Sequence, residues 1–99
     1  MIGCSTLNNI AEICRVQGNA AKALEYHEQV VVIRQEAGDH VGAGESCWNI
    51  GHTYKDLGDL AQAEEYISLA VQIAEKIGHP ALEQFRDGLK QVRAARRRA

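Results

Sequence analysis

The chain repeats itself, and that limits its fold more than any other feature. Slid against itself by 40 residues without a gap, it brings Asn9 onto Asn49, Ile10 onto Ile50, Gly18 onto Gly58 and Ala21 onto Ala61. The same shift aligns Ala23 with Ala63, Glu25 with Glu65, Tyr26 with Tyr66, Val31 with Val71, Ile33 with Ile73 and Gly38 with Gly78. Ala11 over Gly51 and Arg15 over Lys55 are conservative pairs in the same register. One unit of this size cannot cover its own apolar face, so neighbouring units must stack on each other and share a core.

The punctuation inside each period is helical. Gly18-Asn19 and Gly58-Asp59 each combine a helix stop with a new N-cap, and Gly38-Asp39 and Gly78-His79 do the same half a period later. Pro80 suits a first helical turn. Helices are therefore predicted near 5–17, 20–37, 40–57, 60–77 and 80–97. Ala63, Tyr66, Ile67, Ala70, Ile73, Ala74 and Ile77 recur every three or four residues and predict one buried face. Val30–Ile33 is strand-like in composition, but its register against Ala70–Ile73 keeps it helical. Small residues should let paired helices approach closely: Gly51 is expected to face Ala63 and Ala70, and Ala11 to face Ala23 and Val30, with Tyr54 and Tyr66 filling the remainder.

The last helix departs from the repeat, since Lys90 falls where Ile50 sits. Its Leu82, Phe85, Leu89 and Val92 form one stripe, as a cap over the 60–77 helix requires. Charge divides at the same point. Residues 1–79 hold five basic against eleven acidic side chains, and residues 80–99 hold six against two.

Several functions are disfavoured. The longest apolar run, Val30–Ile33, is far short of the ~18–20 residues that cross a bilayer, and no secretory leader is visible, so a cytoplasmic protein without membrane partners is expected. Cys4, Cys14 and Cys47 are odd in number and irregularly spaced, and they do not pair with His27, His40, His52 or His79 at zinc-site spacing. No metal or cofactor is expected. There is no glycine-rich phosphate loop and no Ser/His/Asp or Cys/His set, and Glu64-Glu65 is expected on an outward face, so the chain does not read as an enzyme. Nucleic-acid contact through Arg93, Arg96, Arg97 and Arg98 is the outsider. The body is acidic, and cations at a helix C-terminus are favourable simply because they oppose the macrodipole.

Cys47-x-x-Ile50-Gly51-x-x-Tyr54, followed by Ala63-x-x-x-Ile67 and Ala70, resembles the tetratricopeptide repeat signature. Leu7, Ile10, Ala11, Gly18, Ala23 and Val30 carry it in the first repeat, which departs at Cys14, where the family prefers Tyr, and at His27, where it prefers a large apolar residue. The period exceeds the family's usual one and resembles the long-period arrays of kinesin light chains, G-protein-signalling modulators and bacterial signalling proteins. The Ala/Arg-rich ending fits a bacterial source.

The resemblance implies an all-α fold, a right-handed superhelix of antiparallel helical hairpins. As one domain over 1–99, it would hold repeats at about 5–39 and 40–79 and a closing helix at 80–97. Two repeats are fewer than the about three a stable array needs, so the chain reads as part of a longer protein or as a self-associating unit.

The resemblance also implies a groove lined by the first helix of each hairpin, receiving a protein or peptide partner. Its expected lining is Asn8, Asn9, Glu12, Arg15, Glu45, Trp48, Asn49, His52 and Lys55, with Ser5 and Asp56 on the same face. Asn9 and Asn49 hold equivalent places and suit a sequence-tolerant grip on peptide backbone, since an amide both donates and accepts. Trp48 reads either as an anchor for the partner or as hairpin packing. The family's carboxylate clamp for acidic C-terminal peptides is not reproduced: Asn8 and Trp48 stand where it wants lysines, and Glu12 and His52 where it wants asparagines.

Overall fold

The computed structural model describes residues 4–98; the side chains of Ser5 and Asn8, both expected in the groove, lie outside the described ones. Five helices run through this span: α1 Cys4–Val16, α2 Ala20–Glu36, α3 His40–Asp56, α4 Leu60–Ile77 and α5 Leu82–Arg98. Each packs mainly on its sequence neighbours, α1 on α2, α2 on α3, α3 on α4 and α4 on α5. The result is the expected all-helical array of two hairpins closed by a fifth helix.

The turns form as their residues require. Gly18, Gly38, Gly58 and Gly78 all sit at positive φ, between 65° and 83°, where a side chain would be strained. The next residue then caps the new helix. Asn19 Oδ1 accepts from Lys22 N (3.3 Å), Asp39 Oδ1 from Gly42 N (2.9 Å) and Asp59 Oδ1 from Gln62 N (3.2 Å). The fourth turn differs because its cap is a histidine. His79 Nδ1 accepts from Ala81 N (2.9 Å), and Pro80 lies in the turn ahead of α5 rather than in its first turn.

The main core gathers Cys47, Ala63, Ile67, Ala70, Val71 and Ala74 from the second hairpin with Phe85, Leu89 and Val92 from α5. The α5 stripe thus covers α4 as expected, with Leu82 partly buried against it. Tyr54 and Tyr66 stack at 5.7 Å.

Three expectations need correction. Ile77 is 38% exposed, because α4 ends there and leads into the turn at Gly78. Gly51 faces Ile67 together with the Ala63 carbonyl, not Ala70. Glu64 is half-buried rather than outward, since Arg96 Nη1 reaches its carboxylate at 3.4 Å. Farther along the same seam Arg86 Nη2 lies 3.6 Å from Glu75, so the basic last helix is partly neutralised along α4.

The joint between the repeats rests on Arg34 of α2, only 16% exposed at its side chain. Its Nη1 donates to Gly42 O (2.9 Å) and Ser46 Oγ (3.0 Å) on α3. Gly42 packs closely here: a Cβ would meet the Asp39 carboxylate and come within 2.7 Å of Arg34 Cδ, so both side chains would have to shift. No helix of the described residues is long and apolar enough to cross a membrane.

Candidate functional site

α1, α3 and α5 expose one side each to a common groove of about 540 Å³, lined by Glu12, Arg15, Trp48, Asn49, His52, Asp56 and Gln84. The groove continues past Trp48 along α5, lined there by Gln84, Asp87, Gly88 and Gln91. Side chains 72 residues apart in sequence, from Glu12 to Gln84, meet here because each belongs to the first helix of a hairpin or to the helix that follows the last one. A depression of similar size on α2, lined by Glu25, Glu28, Gln29, Val32 and Ile33, belongs to that one helix and converges on nothing.

The structure therefore brings together five of the expected residues, Glu12, Arg15, Trp48, Asn49 and His52, with Asp56 from the same face. Asn9 is exposed outside the lining. Lys55 is half-buried beside it. Glu45 lies outside the lining, 3.7 Å from His79 Nε2 at the α4–α5 turn. Gln84, Asp87 and Gln91 were not anticipated, since the last helix breaks the repeat and its register against Trp48 is a matter of packing.

Trp48 is half-buried, packing on α5 while also lining the groove. One face stacks on Phe85, with centroids 4.8 Å apart and planes at 23°. Its six-membered ring covers Gly88, where any Cβ would collide with it. Its edge meets His52 at 4.2 Å and 71°, and His79 lies 5.2 Å beyond Phe85. These four rings form a column from the groove to the α4–α5 turn, holding the indole in place at the groove's midpoint.

The polar groups divide into engaged and free. Arg15 Nη2 donates to Glu12 (3.0 Å) and its Nη1 lies 3.6 Å from Asp56, so it joins α1 to α3 across the groove. Those two carboxylates raise its pKa, the Glu12 hydrogen bond most of all. The Asn49 main-chain carbonyl accepts from Thr53 Oγ1 (2.9 Å), but the Asn49 side-chain amide, half-buried, bonds to nothing among the described residues. His52 Nε2 is buried without a partner among the described residues. Burial, aided by Lys55, lowers the His52 pKa and keeps the ring neutral near pH 7.

Behind the groove, His27 is 1% exposed, with neither ring nitrogen hydrogen-bonded among the described residues and its Nε2 3.8 Å from Glu12. Burial lowers its pKa against the pull of Glu12. It occupies the position of Ile67 in the second repeat, where the repeat pattern asks for an apolar residue. Burial also raises the Cys47 pKa, so this core thiol stays protonated.

A model of the tetratricopeptide repeat family matches residues 4–76, which covers both hairpins and stops before α5. No curated protein matches the chain.

Proposed function

Because the chain belongs to the tetratricopeptide repeat family, whose members generally mediate protein–protein interaction, we propose that its groove between α1, α3 and α5 receives a peptide or partner helix. The observation that carries this reading is the Asn49 amide, without a hydrogen-bond partner among the described residues, beside an indole in the groove lining that is fixed by its own ring column. A fixed aromatic face is a strong anchor because little conformational entropy is lost on contact. An adjacent amide can pair with the ligand's backbone in both directions. The 40-residue period supports the long-period kind of array found in kinesin light chains and G-protein-signalling modulators.

A photo-reactive amino acid at Gln84, inside the groove, should crosslink the partner, and one at Glu65, exposed on α4, should not. Asn49→Ala should then weaken the captured partner by about 0.5–1.5 kcal/mol, the usual worth of one hydrogen bond, with unchanged melting. Crosslinks from Glu65 alone would move the interface to α4.

Self-association is the second reading, and one comparison between the repeats favours it. Ser46 and Thr53 of α3 are fully buried, whereas their equivalents on α1, Thr6 and Ile13, are exposed, Ile13 by 56%. In the second repeat this face is covered by α2; on α1 no described helix covers it. Sedimentation would show the dimer, and Ile13→Lys would abolish it. Nucleic-acid contact through Arg93, Arg96, Arg97 and Arg98 stays the outsider, with Arg96 lying 3.4 Å from Glu64 of α4.

A further inference from the structure

The groove selects by charge. Its ionised lining is Glu12, Asp56 and Asp87 against Arg15, and with Lys55 half-buried beside it the acids still exceed the cations by one. Arg15 is shared between Glu12 and Asp56, and Asp87 has no ion-pair partner among the described residues. Histidine adds no positive charge near pH 7, because burial keeps His52 neutral. The imbalance is not the average of the surface nearby. α5 is the most basic element of the chain, yet it turns Gln84, Asp87 and Gln91 toward the groove and directs Arg86 and Arg96 to glutamates of α4. Arg93 and Arg97 lie with Arg96 around Glu64, away from the groove.

We propose that the groove's occupant is a basic protein segment, placing an apolar or aromatic side chain on Trp48 and lysine or arginine side chains against Asp87 and Asp56. This rests on the groove reading above and adds to it the class of partner. Trp48 and Asp87 belong to the same stretch of the groove, and Asp56 follows Trp48 by eight residues on α3, about 12 Å along a helix. A partner helix would therefore present its cations on either side of one apolar anchor. Complementary charge of this kind steers encounter and rejects partners of the wrong sign.

Three synthetic amphipathic peptides test this, identical in their leucine and tryptophan-free apolar face and carrying lysine, glutamine or glutamate on the polar face. Trp48 is the chain's only tryptophan, so its emission reports occupancy directly. The lysine peptide should bind tightest and weaken as salt rises to 1 M, where the Debye length falls to about 3 Å. Asp87→Asn should weaken it about two- to five-fold, as expected for losing one exposed ion pair. Glutamine and lysine peptides binding alike would overturn the charge selection and keep the groove. A preference for the glutamate peptide would overturn the proposal outright. No change in Trp48 emission with any of the three would overturn both readings.

Discussion

Gly51 gives the sharpest test of how the second hairpin is held together. A Cβ added there would overlap Ile67 Cγ1 and lie 3.2 Å from both the Ala63 carbonyl oxygen and Ile67 Cδ1. Ile67 is fully buried and cannot swing into solvent, and the carbonyl belongs to the α4 backbone. Overpacking a core of this kind costs about 1–3 kcal/mol. Replacing a mid-helix glycine by alanine returns about 1 kcal/mol of helix propensity. Gly51→Ala should therefore lose about 1 kcal/mol net, and Gly51→Leu, with three more carbons and a similar propensity gain, about 2 kcal/mol. In a domain of this size each kcal/mol moves Tm by about 4–8 °C, so thermal melts followed by far-UV circular dichroism resolve both. Gly44 is the internal comparison. It lies on the same helix, but its Cβ would sit 3.4 Å from Ile73 Cγ2, an ordinary contact. Gly44→Ala should stabilise by about 0.5–1 kcal/mol. If Gly51→Ala melts above wild type as Gly44→Ala does, the close approach of α3 and α4 at Gly51 is wrong.

Arg34→Met should cost about 1–3 kcal/mol in urea unfolding, since it leaves Gly42 O and Ser46 Oγ without their donor at the joint between repeats; an unchanged midpoint would show that the joint holds by apolar contact alone. His27→Leu should stabilise by about 1–2 kcal/mol by removing two buried, unpaired nitrogens. It should also flatten the pH profile. The folded-state pKa of His27 lies below the ordinary value of about 6.5, so the unfolded chain binds the extra proton first. Stability of the wild type is then full above about pH 6.5 and falls as pH drops toward the folded pKa. His52 is shifted the same way and leaves a residual slope in the variant. Urea midpoints at pH 7.5 and 5.5 that differ equally in wild type and variant would remove His27 from this effect.

Much of the scaffold was legible in the sequence because it depends on local chemistry. A glycine at positive φ followed by Asn or Asp ends one helix and begins the next wherever it occurs, so helix bounds and the repeat period could be read directly. Six of the residues on the expected face, Glu12 to Asp56, meet in the groove for a related reason. They lie on the same outward face of α1 and α3, which the helical period fixes, although only Glu12 and His52 hold equivalent places and Asn9 and Lys55, the equivalents of Asn49 and Arg15, stay outside the lining. Register within a period does not say where a non-repeating helix will settle. The placement of Gly88 under Trp48, the four-ring column and the entry of Gln84 and Asp87 into the groove follow from how α5 seats on α4. Charge showed the same limit. Sequence alone distinguished an acidic body from a basic end, whereas the seat of α5 turned its arginines to the glutamates of α4 and its one central aspartate to the groove. Local propensity determined the helices and the repeat; long-range packing of the closing helix decided what the groove offers a partner.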